Sequence, residues 1–117
     1  MADKRKSGEL ESEILGCLWD RPAGLTSQQL LALMGEEVKL TTVLTVLSRL
    51  QEKGLVEKDP GLGRSFVFRA TDTREQFTAK QLLGILEHSE NPVGVFSHFT
   101  QGLTDSQIRE LKKVLGA

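Results

Sequence analysis

Residues 39 to 69, KLTTVLTVLSRLQEKGLVEKDPGLGRSFVFR, constrain this chain more than any other stretch. A short helical pattern runs straight into a β-hairpin pattern, and the helix has two chemically different faces. Val43, Val46, Leu47 and Leu50 fall at i, i+3, i+4 and i+7 and make one apolar stripe. Thr41, Thr42, Thr45, Ser48 and Arg49 lie largely on the other side. Small hydroxyls with one arginine make a poor solvated face but a good face for a DNA groove. Hydroxyls bond phosphates or base edges, and arginine grips either.

The punctuation agrees. Thr41 is expected to cap the helix, its hydroxyl accepting from a first-turn amide. Lys53 falls in the last turn, where the helix dipole favours a cation, and Gly54 is placed to end the helix. Leu55, Val56 and Lys58 begin a strand, Pro60-Gly61-Leu62-Gly63 is a turn, and Ser65 to Arg69 returns. Arg64 then stands near the hairpin tip. A helix followed by a basic-tipped hairpin is the arrangement of a winged helix.

Upstream, Glu9 to Asp20 reads as a helix with Leu10, Ile14, Leu15, Cys17, Leu18 and Trp19 on its apolar side. Trp19 is read as a core anchor and Cys17 as a buried structural thiol. Arg21-Pro22-Ala23-Gly24 breaks that helix, and Leu25 is placed to form a short strand against the hairpin. Thr26 and Gln29 have capping-box spacing. They open a second helix, buried by Leu30, Leu31, Leu33 and Met34 and ended by Gly35. Residues 36 to 40 link it to the third helix.

The 117 residues suffice for one small domain with a dimerisation tail. The expected division is a flexible N-terminus at 1–8, a winged-helix DNA-binding domain at 9–70 and a helical dimerisation region at 71–117. The fold class is mainly α with a small β-hairpin. In the last region Asp72 is expected to cap a helix from Thr73 to His88. Asn91-Pro92 restarts the chain, with Pro92 at a first helical position. Thr104 and Gln107 open the final helix. Phe77, Leu82, Leu86, Phe96, Phe99, Ile108, Leu111 and Leu115 supply apolar faces too few to close a core alone, so they are expected to meet a second copy of the chain. The alternative is that they fold back on the winged helix of the same chain.

Net charge is −1, but its distribution matters more. Residues 39–69 hold Lys39, Arg49, Lys53, Lys58, Arg64 and Arg69 against Glu52, Glu57 and Asp59, a balance of +3. The rest of the chain is net acidic. A lone cysteine excludes a disulfide framework. No run of 18 apolar residues and no signal-peptide pattern is present, so no membrane association and a cytoplasmic location are the expectations.

Three stretches together resemble a known family: ESEILGCLW at Glu11 to Trp19, KLTTVLTVLSRLQEKGLV at Lys39 to Val56, and LTDSQIRELKKVL at Leu103 to Leu115. They are similar to the penicillinase and methicillin-resistance repressors, the BlaI/MecI/CopY family, over nearly all of the chain after Gly8. The resemblance implies a transcriptional repressor acting as a homodimer on a palindromic double-stranded DNA operator. It puts the third helix in the major groove, the wing on the backbone and the three C-terminal helices in the dimer. Carried over by position, Lys39, Thr41, Thr42, Leu44, Thr45, Ser48, Arg49 and Arg64 are the DNA-binding candidates. Leu44 departs from relatives with a basic residue there and is expected to touch a thymine methyl or a sugar.

Two further departures limit what carries over. Copper-responsive relatives end in a cysteine-rich metal motif, whereas this chain ends ELKKVLGA. Relatives released by a regulatory protease carry a scissile Asn-Phe bond. The one asparagine here, Asn91, precedes proline. A protease partner acting near Val95 to Phe99 is compatible with the resemblance, but no bond is marked.

Catalysis has little support. His88 and His98 are ten residues apart, Cys17 is distant, and Gly61-Leu62-Gly63 reads better as a hairpin tip than as a phosphate cradle. No catalytic residue, metal ligand or cofactor is assigned. The alternative function is a winged-helix protein-interaction module. A protein-binding face should be richer in large apolar groups than this hydroxylic one.

Overall fold

The computed structural model describes residues 7–35 and 37–117. The flexible terminus expected at 1–8 falls, through residue 6, outside the described residues, as does Glu36 of the expected linker. The element order is α1 (Ser7–Trp19), α2 (Ser27–Met34), α3 (Leu40–Glu52), β1 (Val56–Pro60), β2 (Phe66–Ala70), α4 (Arg74–Glu87), α5 (Pro92–Gln101) and α6 (Asp105–Leu115). This is a winged helix-turn-helix followed by three helices. Ser7 and Gly8, expected to be flexible, belong to α1.

Helix starts follow local chemistry. At α2 the Thr26 hydroxyl accepts from the Gln29 amide at 3.1 Å, and the Gln29 side chain accepts from the Thr26 amide at 2.9 Å. Thr104 and Gln107 repeat the box at α6. The same geometry joins Thr73 and Gln76 at α4, so Thr73 caps that helix rather than Asp72. Each has a residue of box type three positions on, Glu75 for Asp72 and Gln76 for Thr73, and the chain uses the pair in which both side chains are neutral. Asn91 caps α5 by accepting from the Gly94 amide at 3.0 Å, with Pro92 in the first turn.

Two compact units divide at Phe77 and Thr78. In the first, α1 contributes Leu10, Ile14, Leu15 and Leu18 to one core, α2 contributes Leu30 and Met34, and α3 contributes Val43, Val46, Leu47 and Leu50. Leu25, Val56 and Phe68 complete it. Burying an aliphatic side chain of this size contributes about 1.5–3 kcal/mol, so the α3 stripe alone holds that helix firmly in place. Leu33 is a correction: it is exposed while Leu30 and Met34 are buried. A helix of eight residues buries one i, i+4 row, and Leu33 lies off it.

The hairpin is antiparallel, pairing Val56 with Ala70, Lys58 with Phe68 and Pro60 with Phe66. Leu25 exchanges two backbone bonds with Phe68, of 3.0 and 2.8 Å, and so adds the expected miniature strand. Gly24 makes this approach possible. Its φ is +98°, and a Cβ there would collide with Val67 Cγ1 and lie 2.7 Å from Arg69 Cγ. At the other end, α3 stops at Lys53, and Gly54 turns the chain with φ +75°. The Leu55 amide then reaches back to the Leu50 carbonyl at 2.9 Å.

The second unit, residues 78–117, holds the rest of α4 with α5 and α6. None of its described side chains is buried. Leu82, Ile85, Val93, Phe96, Phe99 and Leu115 are all exposed. Among the described residues no helix is long and apolar enough to cross a membrane.

Candidate nucleic-acid interface

The core fixes which side of α3 faces outward. With Val43, Val46, Leu47 and Leu50 buried, Thr41, Leu44, Thr45, Ser48 and Arg49 are exposed and Thr42 is half-buried. The helical period therefore brings the expected residues onto one outward surface. Leu44 is 42% exposed, an aliphatic group set among hydroxyls.

The start of α3 departs from expectation. Lys39, not Thr41, is the N-cap residue, and it supplies no side-chain cap. Its carbonyl accepts from the amides of Thr42 and Val43, at 3.0 and 3.1 Å, so the helix is under way before Thr41. The first turn contains no acidic residue. The Lys39 side chain does not cap the helix, and the positive end of the dipole starts at an exposed cationic residue, which suits an anion such as phosphate.

Thr45 is used in a specific way. Its hydroxyl donates to the Thr41 carbonyl at 2.9 Å. The proton is committed to the helix, so the outward oxygen is left as an acceptor beside a methyl group. Such a group suits a base amino group or a thymine methyl rather than a phosphate.

The basic excess of residues 39–69 includes Lys53. Its ammonium instead bonds Glu11 of α1 at 2.6 Å. It fastens the end of α3 to α1 and marks the edge of the outward face.

The wing sorts its charges by face. Cross-strand partners share a face, so Glu57 and Arg69 stand on one side of the hairpin and Lys58, Pro60, Phe66 and Phe68 on the other. Arg69 pairs with Glu57 at 3.7 Å and also with Asp59. One cation is thereby shared between the two acids of β1. On the opposite face the Lys58 ammonium lies 4.1 Å from the centre of the Phe66 ring. Arg64 is exposed in the turn and makes no ion pair among the described residues. The sequence pattern gives no sign of this pairing of Lys58 with Phe66. Their contact depends on the strand register, which a turn with two glycines leaves open in the sequence.

The turn itself is tight. Gly61 donates to the Ser65 carbonyl at 2.9 Å, and Ser65 donates to the Leu62 carbonyl through its amide at 3.3 Å and its hydroxyl at 2.6 Å. Gly63 takes φ +66° between them. Leu62, held by its own carbonyl, is 94% exposed.

Elsewhere, Cys17 is half-buried rather than fully buried. Burial pushes its thiol above the ordinary value, with the nearby charges of Asp20 and Glu13 adding to the rise. Trp19 is also half-buried, at the margin of the core, with Phe77 against its ring. His88 Nδ1 lies 2.7 Å from the Gly84 carbonyl, an intrahelical contact. Among the described residues no group of three or more His, Cys, Asp or Glu could hold a metal ion. Of the expected dimerisation residues, Leu82, Phe96, Phe99 and Leu115 are exposed, and Phe77, Leu86, Ile108 and Leu111 are half-buried.

A family model described as penicillinase repressor matches residues 7–117. No curated protein matches the chain. Among solved structures, a MarR-family transcriptional regulator from Rhodococcus sp. RHA1 is similar with TM-score 0.54 and 14% identity, over 93% of this chain and 73% of that one. The PcaV transcriptional regulator from Streptomyces coelicolor aligns with TM-score 0.51 and 21% identity, over 97% of this chain and 74% of that one. Lactococcus lactis ZitR, a zinc-responsive MarR-family member, aligns with TM-score 0.50 and 19% identity, over 99% and 77%. At these identities the likeness is one of fold.

Proposed function

The chain belongs to the penicillinase repressor family, which makes it a DNA-binding transcriptional regulator, and from that premise we propose that it represses by occupying a palindromic operator as a homodimer. One observation carries the reading. The α3 surface that the core leaves outside is made of Thr41, Leu44, Thr45, Ser48 and Arg49, with the cationic N-cap residue Lys39 at its end. These groups match the donors, acceptors and methyls of a major groove.

In this reading Arg49 and Ser48 bond base edges or close phosphates. Thr45 accepts from a base amino group, and Leu44 packs on a thymine methyl or a sugar. Lys39 with the first amides of α3 holds a phosphate, and Arg64 holds another from the wing. Dimerisation is supported by the second unit, whose exposed Leu82, Phe96, Phe99 and Leu115 have no core of their own to enter. Two copies related by a two-fold axis would place their α3 helices in major grooves about one DNA turn apart, or a multiple of it. Occupancy by itself then excludes polymerase, and no chemistry is needed. The protein works in the cytoplasm, where its operator is.

A regulatory protease would act on Val95 to Phe99. That stretch is exposed but lies inside α5, so cleavage would require the helix to open first.

The test is selection of bound duplexes from a random-sequence pool by the full-length protein at near-physiological salt. A palindromic consensus is the expected result. Recovery of no preferred sequence, with attachment fading as salt rises, would leave only unspecific electrostatic binding and overturn the proposal.

A further inference from the structure

Helix α3 carries one cation that the operator-binding reading leaves unused. Lys53 closes the helix in helical backbone geometry, its amide donating to the Arg49 carbonyl at 3.0 Å. It follows Arg49 by one turn, as Arg49 follows Thr45, and so continues a row of outward residues at i+4 spacing. A lysine placed there, a compact charge on a flexible stem, is suited to any phosphate within reach. The structure gives it another partner. Its ammonium bonds Glu11 of α1 at 2.6 Å, from 42 residues away in the sequence.

The two ends of this pair are unequal. The Lys53 side chain is 55% exposed and the Glu11 side chain 17%. The ammonium stands in water, whereas the carboxylate is mostly covered. A covered carboxylate left without its cation is destabilising, because it recovers little hydration. Lys53 leaving for a phosphate would strand that charge, so the tie persists when DNA arrives. Nor is the pair needed to seat α3. Val43, Val46, Leu47 and Leu50 already do that, all of them buried. What the pair decides is where the Lys53 charge goes.

We propose, on the operator-binding reading above, that Glu11 is a specificity-determining residue that acts through Lys53, holding its ammonium away from the DNA backbone. Phosphates are the same in every sequence, so a cation that grips them raises attachment to all duplex DNA alike. An operator-binding protein must find one site among a great excess of others, and what counts is the ratio of operator affinity to unspecific affinity. The basic excess of residues 39–69 includes Lys53, and Glu11, from outside that segment, removes it from the phosphate contacts. Lys39 and Arg49 stay available to the groove.

The test is the salt dependence of binding to a duplex of unrelated sequence by the full-length protein, read by fluorescence anisotropy. Glu11→Gln keeps the side-chain shape and removes the charge that retains Lys53. The fall of log affinity with log salt should steepen by roughly 0.9, the contribution of one phosphate contact, and the ratio of operator to unspecific affinity should drop. Glu11→Gln combined with Lys53→Gln should return the slope to the wild-type value. Lys53→Gln alone should leave it there, since Lys53 grips no phosphate in the wild type. Glu9→Gln removes an exposed acid from the same helix and should also leave the slope unchanged, which separates release of Lys53 from a general loss of negative charge. A wild-type slope in Glu11→Gln overturns the proposal, as does a steepening that survives the double substitution. A shallower slope in Lys53→Gln alone overturns it too, by placing Lys53 on the DNA from the start; that variant alters an exposed side chain and decides the matter even if Glu11→Gln does not fold. Failure of the wild type to bind any duplex would sink the DNA reading itself, and this inference with it.

Discussion

The indole of Trp19, the last residue of α1, lies 5.2 Å from the ring of Phe77 in the opening turns of α4, centroid to centroid, with the planes inclined by 53°. The Arg74 guanidinium stands over the other reach of the indole at 5.2 Å and pairs with Asp20 at 3.5 Å. The beginning of α4 is thereby built into the winged helix. Tilted aromatic pairs of this kind add about 0.5–1.5 kcal/mol beyond the area they bury. Phe77→Ala should lower unfolding stability by roughly 1–3 kcal/mol, less than a fully buried phenylalanine would give. Because Trp19 is the one tryptophan, its fluorescence in the folded protein should change with the same substitution. Wild-type emission and an unchanged denaturation midpoint would contradict the packing.

Arg49→Ala should weaken operator binding by roughly 1–3 kcal/mol, the loss expected when an arginine reads a base or a close phosphate. Leu44→Ala should instead relax preference among single-base operator variants while leaving attachment to unrelated DNA intact. Fluorescence anisotropy across such a panel tests both. An Arg49 variant with wild-type affinity would remove that residue from the interface, and an unaltered preference would do the same for Leu44.

Gly24→Ala combines a left-handed backbone with a collision. The new methyl would meet Val67 and Arg69 and approach the Phe68 carbonyl to 3.0 Å, where the Leu25 bridge forms. The expected loss is about 2–4 kcal/mol, from backbone strain and overpacking together. Chemical denaturation measures it. Gly63→Ala, which shares a positive φ but meets nothing within 4 Å, should lose less; equal losses would mean that the collision contributes nothing.

Truncation belongs after Phe77, because Phe77 packs on Trp19 within the first unit. Such a chain should sediment as a monomer and bind the operator far more weakly, since two linked half-sites gain from effective concentration. Affinity equal to that of the whole protein would refute the dimerisation role of residues 78–117.

Burial raises the Cys17 thiol, so its thiolate is scarcer than that of a free cysteine at the same pH. Alkylation by iodoacetamide at mildly alkaline pH should be slow in the folded protein and quicken in urea. The sign for stability follows from linkage. The folded state keeps the proton that the unfolded state gives up, so the contribution is complete below the unfolded-state pKa and is lost as pH rises through the folded one. A Cys17→Ala variant should lack that alkaline component of the stability curve, and persistence of the component would assign it to another group.

The residues most legible in the sequence were those whose spacing alone decides their place. Val43, Val46, Leu47 and Leu50 could only form a buried stripe, and burying them turned Thr45, Ser48 and Arg49 outward. Thr26 with Gln29 and Thr104 with Gln107 marked helix starts because both halves of each box are in the chain. The structure departs from the sequence pattern where two residues compete for one role. Thr41 has a capping hydroxyl, but the backbone carbonyl of Lys39 starts the helix first. Asp72 is the more familiar cap, but Thr73 forms the box with Gln76. Long-range pairings left no local trace. Lys53 with Glu11, Trp19 with Phe77 and Lys58 with Phe66 all depend on how elements meet, and no periodicity encodes that.

The helix starts have a consequence for experiment. Thr26, Thr73, Asn91 and Thr104 cap four helices with neutral groups, and three of them are answered by a neutral glutamine. None of these caps titrates as a carboxylate would, and none is a charge that counterions can screen. Changes of salt or moderate pH therefore leave those capping hydrogen bonds unaltered. When binding is followed across a salt series, the slope will carry no contribution from the loss of these four caps.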